Sequence, residues 1–456
     1  MKTEAFSANR PGLSKGVLAA YSGITLPVAA MGMPLAVYLP RFYSEGLGLS
    51  LATVGLIFTL ARIFDVVTDP LMGLLIDRYD TRWGRRKHWV ALSIPLLMVS
   101  IWMVFIPDPQ AVDAAYLACW LLLLYAGYTM LTISHLSWGA ELAVGYDARS
   151  RLFGWREIFI IAGMTSVLAL PAALELNGYS DQQTKIAGMG WFCLILLPLL
   201  LIPTLFLVPD SRSRSTTAVP WDEAVRLIVQ NHLMWRLLAA DLLSGLGTAI
   251  SGALYIFVAS NYFQLPSHAS ISLLFYFLAS FFAMPLWMQL AYRIGKDRAL
   301  KVALLYGGGM NLLLTAIAQP GSVIMLWSFT ICYGIAYGAA PMLLRSMMAD
   351  LTDEDELRTG KNRAGLFFAL LTTTNKLGAA FGVGASFLTL EYLFNYVPGG
   401  VNSDFANGGL LWTFCLGSAS GLLLAYLPLR KYAMSRARHQ QIQAALSARE
   451  TQQEQT

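Results

Sequence analysis

Residues 51–77 read LATVGLIFTLARIFDVVTDPLMGLLID. The run is long enough to cross a bilayer's hydrocarbon core as a helix, which takes about 20 apolar residues. Yet Arg62, Asp65 and Asp69 interrupt it. On a helix the three share one face, leaving the rest of the surface for lipid or apolar neighbours. A charged side chain at the bilayer centre costs roughly 2.5–3.5 kcal/mol on insertion scales, so this face is expected to point into a bundle. Two carboxylates one turn apart also need compensation. If Arg62 neutralises one, the other is free to take a proton or a sodium ion, with Asp65, Asp69 and the Thr68 hydroxyl as oxygen ligands. The alternative is a static Arg-Asp-Asp network that only holds helices together.

Working outward, similar apolar runs recur along the whole chain. Hydrophobic residues make up 56% and charged residues 13% of 456 positions, too apolar a balance for one soluble core to hide. Twelve spans are expected near 17–40, 50–76, 89–107, 114–140, 156–175, 188–208, 237–260, 268–291, 302–319, 321–344, 365–390 and 408–429. The polar opening MKTEAFSANRPGLSK leads straight into a full-length span, unlike a cleavable leader. The longest polar interruption contains SRSRSTT and reads as a linker. The expected division is an N-terminal six-helix bundle at 1–208, a cytoplasmic linker at 209–236, a C-terminal bundle at 237–430 and a cytoplasmic tail at 431–456.

The net charge of +5 matters less than where the charges sit. Apart from Arg41, Arg62, Lys185 and Lys376, every lysine and arginine lies in the N-terminus, the loops joining even to odd spans, or the tail. Such residues stay on the cytoplasmic side of spans, so both termini are expected in the cytoplasm, at a plasma or inner membrane, with no nucleic-acid partner. Cys119, Cys193, Cys332 and Cys415 lie inside apolar runs without paired or metal-ligand spacing and read as packing residues.

A short parallel repeat links the halves. Arg82-Trp83-Gly84-Arg85-Arg86-Lys87 between spans two and three matches Arg293-Ile294-Gly295-Lys296-Asp297-Arg298 between spans eight and nine. Alone it is an ordinary helix-connecting turn. With twelve spans and a central linker it supports an all-α membrane protein of the major facilitator type, two six-helix bundles built by duplication.

Other residues invite a function. Lys376 lies near the middle of span eleven, too deep for its ammonium to reach the membrane surface easily, and needs a substrate, ion-site or structural partner. Trp138 can stack on a sugar ring or anchor a span at the interface. Arg156 opens span five. His135 reads as a satisfied buried histidine. The acidic stretch Asp350–Glu356, expected as a loop, either is solvated or pairs across the halves with Arg85, Arg86 and Lys87 as a cytoplasmic latch. Asp77, Asp350 and Asp353 are its acidic candidates. No phosphate-binding loop, metal cluster or nucleophile triad is apparent, so the expected cofactor is none beyond a coupling sodium ion or proton.

Four stretches carry a family resemblance: RIFDVVTDPLMGLLIDRYDTRWGRRKHW at 62–89, ELAVGYDARSRLFGWREIF at 141–159, MMADLTDEDELRTGKNRAGLFFA at 347–369 and LRKYAMSRARH at 429–439. Together they resemble the glycoside-pentoside-hexuronide cation symporters over nearly the whole chain. The resemblance implies sodium- or proton-driven sugar symport, with a small sugar-like molecule and the bilayer as partners. It matches Asp65 and Asp69 to the family's paired cation-site aspartates and Thr68 to the polar residue beside them. Trp138 matches the sugar-stacking tryptophan, Arg156 the arginine of helix five and Lys376 the helix-eleven lysine. The chain departs where the galactoside-holding aspartates fall at Ala29 and Ser134, and where a cation-site threonine falls at Leu131, beside Thr132. Losing those acceptors should change which substrate fits. Two rivals remain: a same-fold carrier of a lysolipid or other amphiphile, and an intramembrane prenyltransferase-like enzyme binding diphosphate through aspartate-rich segments. Depth argues against the enzyme, since Asp65 lies turns inside a span rather than at its end.

Overall fold

In lipid every backbone polar group must be satisfied within the protein, and helices do this segment by segment. The computed structural model describes residues 13–78, 81, 84, 86–142, 146–179, 181–209, 231–359 and 364–432, with short pieces of the tail between 434 and 448. It holds twelve helices long and apolar enough to span a membrane. In chain order they are α1 (Lys15–Val37), α2 (Leu51–Asp69), α3 (Lys87–Phe105), α4 (Ala114–Gly139), α5 (Ile158–Leu176) and α6 (Gln182–Leu207). The second set is α7 (His232–Tyr262), α8 (Pro266–Ile294), α9 (Lys296–Ile317), α10 (Val323–Thr359), α11 (Leu366–Leu393) and α12 (Asp404–Leu429). Most of the expected linker, residues 210–230, lies outside the described residues.

Side-chain exposure on α2 follows its sequence pattern. Leu56, Leu60 and Val67 are more than half exposed, as lipid-facing residues should be, while Asp65 is fully buried. The charged face therefore points inward.

Two ends differ from the sequence reading. Helix α7 starts at His232, several residues before the hydropathy rise, because the Asn231 side chain caps its first turn by accepting the N–H groups of Leu233 and Met234. The acidic stretch Asp350–Glu356 is not a loop: helix α10 runs on to Thr359. Leucine and glutamate favour the helix, and beyond the bilayer nothing requires it to stop. The repeated Gly-basic turn is visible as geometry, since Gly84 and Gly295 both adopt positive φ, 117° and 97°. Side chains other than glycine rarely tolerate that conformation.

Across the junction, α2 lies along α11 and α5 along α8, with α1 against α7. At the end of the bundle away from the termini, α1 and α7 each give way to a π-helical turn, at Phe42–Gly46 and Val258–Tyr262. The two turns meet. Arg41 donates to Ser260 Oγ at 2.7 Å and to Asn261 Oδ1 at 3.3 Å. Glu45 binds the Arg41 Nε at 2.5 Å and accepts from Asn261 Nδ2 at 2.5 Å. Asn261 also reaches the Tyr396 hydroxyl.

Beside this knot lies a reciprocal pair of helix caps. Glu175, at the end of α5, accepts the Ser270 N–H at 3.0 Å and its hydroxyl at 2.5 Å, at the start of α8. Lys185 pairs with the same carboxylate at 2.8 Å. Glu391, at the end of α11, accepts the Ala52 N–H at 2.6 Å, at the start of α2. Each half thus caps a helix of the other, satisfying an orphan N–H and opposing the positive end of the helix dipole.

Replacing both caps in the Glu175→Gln, Glu391→Gln double variant should cost about 1 kcal/mol per site. Spin labels at Leu47 and Gln264 should then report more of a long-distance population, by roughly 30-fold if the costs add. An unchanged distance distribution would mean that the caps do not hold this end shut.

Candidate functional site

The inward face of α2 meets α4 and α11 around Asp65. Asp65 Oδ1 accepts the Thr129 hydroxyl of α4 at 2.6 Å. Its other oxygen lies 3.0 Å from Lys376 Nζ and 3.9 Å from Arg62 Nη1. Lys376 also contacts Asp69 Oδ2, at 2.5 Å. One ammonium from the second half therefore bridges two carboxylates of the first. The Arg62 guanidinium lies over the Tyr125 ring, 4.9 Å from its centroid, which holds it beside Asp65 rather than between the aspartates.

Formal charge balances in this arrangement, two carboxylates against Lys376 and Arg62. Hydrogen bonding does not balance as well. Asp69 Oδ1 is buried without a hydrogen-bond partner among the described residues. Two carboxylates and a hydroxyl are the oxygen donors that a hard cation prefers. The Thr68 hydroxyl turns back to the Asp65 carbonyl at 3.2 Å, so in this conformation Thr129 is the hydroxyl on the pair. The sequence reading missed Thr129. Its signal was the polar face of α4, where Tyr125, Thr129 and Thr132 recur at helical spacing opposite the charges of α2.

The register that brings Lys376 to this point is set two residues on. A Cβ at Gly378 would stand 2.1 Å from the Leu242 carbonyl oxygen, so α11 presses its backbone directly against α7. Any larger residue there would push α11 away.

Next to the charged cluster is a cavity of about 260 Å³ between α1, α4 and α5, lined by Thr25, Ala29, Tyr128, Thr132, His135 and Arg156 among others. Ala29 and Leu131, two positions where the resemblance expects polar side chains, are on its wall, whereas Ser134 is fully buried. His135 stacks on Tyr21 with centroids 4.0 Å apart and pairs through Nε2 with the Tyr21 carbonyl at 2.8 Å. It is both satisfied and at the cavity edge. Tyr128 joins cavity and ion cluster, within electrostatic reach of Arg62, Asp65, Lys376 and Arg156.

Trp138 stands apart from this lining. It is fully buried, donates its indole N–H to the Pro209 carbonyl at 3.0 Å and carries Lys87 Nζ 5.7 Å from its ring centroid. Asp350 takes Lys296 of its own half at 2.6 Å, and Lys87 donates to the Leu205 carbonyl at 3.0 Å, again within one half. Arg86 is buried and Asp353 half-buried. Arg85 and the Asp77 side chain lie outside the described residues. Glu354 contacts Arg438 of the tail, which ties α10 to the C-terminal segment.

Comparison with known proteins agrees with this architecture. The family model described as MFS/sugar transport protein matches residues 20–436. The putative glycoside/cation symporter YagG of Escherichia coli is 26% identical, over 78% of this chain and 78% of its own. The mouse sodium-dependent lysophosphatidylcholine symporter 1 is 20% identical over 92% of this chain and 86% of its own. Among solved structures, a mutant form of the nucleoside transporter NupG superposes with a TM-score of 0.69 at 16% identity, covering 91% of this chain and all of that one. The fold is thus that of the major facilitators. With the match spanning nearly its whole length, the chain belongs to the MFS/sugar transport protein family and is a multi-pass membrane transporter, not an enzyme.

Proposed function

We propose that the chain is a symporter that couples a monovalent cation, sodium or a proton, to movement of a sugar or glycoside. The observation that carries this reading is the Lys376 ammonium seated between Asp65 and Asp69. A tethered cation already sits where a free one would bind. An arriving ion that takes its place releases α11 from α2, so ion occupancy and the relation of the two halves become linked. When the ion leaves, Lys376 returns and the empty carrier regains charge balance. Linkage then requires that ion and substrate raise each other's affinity by the same factor, typically about 5- to 150-fold.

The distribution of lysine and arginine supports cytoplasmic termini, which sets the Arg41 end on the outer side. On that orientation the outer end is shut, as in a carrier that has turned inward. The sugar reading draws on the family's description and on the glycoside/cation relative. A second reading has its own support: Val28, Ala29, Met33, Leu131 and Met164 make much of the cavity wall apolar, which suits a lysolipid or other amphiphile. Net uptake of labelled glycosides against labelled lysolipid in proteoliposomes distinguishes the two.

In the same vesicles, Asp65→Asn and Asp69→Asn should each abolish uphill accumulation while substrate exchange persists, since exchange moves no net ion. Accumulation with normal ion dependence in either variant would make that aspartate structural.

Lys376→Ala should leave the two carboxylates short of positive charge, a loss of about 3–5 kcal/mol for a broken buried pair. Its thermal midpoint should fall, and added sodium or acid should restore part of the fall by mass action. A midpoint indifferent to both would argue that no cation binds between the aspartates.

A further inference from the structure

A third buried carboxylate lies in the second half, away from the pair. Asp241, on α7, is 3% exposed and sits inside the span. Thr374 Oγ1 faces its Oδ2 at 3.0 Å and Asn375 Nδ2 donates to its Oδ1 at 3.3 Å. Both partners are neutral. Among the described residues no lysine or arginine lies within the 4.0 Å ion-pair distance of this carboxylate.

The surroundings offer little charge from any direction. Helix α10 contributes Arg345, exposed and acting only at a distance. Helix α11 contributes Lys376, already held by Asp65 and Asp69. Helix α12 carries no charged residue beyond Asp404 at its start, and α1 none beyond Lys15 at its start. On α7 itself, Arg236 donates to the Lys431 carbonyl at 2.6 Å. An ionised Asp241 would therefore sit in the membrane interior with two neutral hydrogen bonds as its close partners, a poor exchange for water.

The hydrogen bonds around it also suit a neutral acid. The Thr374 hydroxyl has one proton and two acceptors in reach, Asp241 at 3.0 Å and the Leu371 carbonyl at 2.9 Å. If Asp241 is protonated, its O–H donates to Thr374 Oγ1 and the threonine proton turns to Leu371. No group is then left unsatisfied. If Asp241 is ionised, Thr374 turns the other way and the Leu371 carbonyl loses that bond. The pocket accepts both states at the cost of one hydroxyl rotation.

From this geometry we infer that Asp241 is a proton-binding site of the second half, protonated in this conformation and separate from the Asp65–Asp69 pair. Thr374, Asn375 and Lys376 are consecutive, so the segment of α11 that touches the Asp241 proton site is the segment that bridges the halves. Proton occupancy at Asp241 is thereby placed one residue from the Lys376 contact, whichever ion couples transport.

Infrared difference spectroscopy of the purified full chain tests this without substrate. The wild type minus Asp241→Asn spectrum at neutral pH should show loss of a carboxylic-acid C=O band that shifts in heavy water. Raising the pH in the wild type should convert that band to carboxylate stretches. Loss of carboxylate stretches instead, at neutral pH, would overturn the proposal. If Asp241→Asn does not fold, Thr374→Val keeps the acid and removes its acceptor. The acid band should then shift to higher frequency, and an acid region identical to wild type would equally overturn the inference.

Discussion

The structure depends on one compensation of charge. Asp65 and Asp69 sit within the bilayer's span on one half, and Lys376 comes from the other half to meet them. Removing any one member leaves buried charge without a partner, which costs more than an intact network contributes. Much else follows from keeping this contact. Gly378 lets α11 lie hard against α7, α2 turns its leucines to lipid, and Arg62 is drawn aside onto Tyr125.

Helix α4 gives that contact a route to the cavity. Thr129 holds Asp65, while Tyr128, Thr132 and His135 on the same helix line the space between α1 and α5. Adjacent residues of one rigid element therefore touch the charged cluster and the candidate substrate space. A rigid helix with a ligand at each face is a simple means of making two binding events depend on each other.

Much of this was legible in the sequence. The α2 charges announced an inward face because lipid excludes them, and Lys376 announced a partner because mid-span it has no route to water. Neither needed a three-dimensional pattern. Thr129 was not legible, since a threonine in an apolar helix is cheap wherever it bonds its own backbone, as Thr132 does. Its neighbour across the bundle decides its role. Trp138 was ambiguous for a related reason: an indole near a helix end suits a sugar, an interface or, as here, the Pro209 carbonyl. Asp241 drew no notice because one acidic residue near the start of a span resembles a boundary, and its burial depends on α11. The acidic run after Leu351 looked like a loop because hydropathy reports where lipid ends, not where a helix ends.

The reciprocal caps bear on how the protein is made. The first turn of α2 is synthesised early, yet the carboxylate that accepts the Ala52 N–H is Glu391, 339 residues later. Until α11 is in place, Ser50 caps the Thr53 N–H at that end of the first bundle but no carboxylate meets the Ala52 N–H. Conversely, Glu175 is waiting when Ser270 arrives, so α8 can be received by a bundle already assembled. The two halves are thus unequal in time although alike in shape. The first offers a template for the second, and the second completes the first. A chain interrupted after α10 would keep the cap given by Glu175 but lack the one returned by Glu391, leaving the first bundle as the unfinished partner.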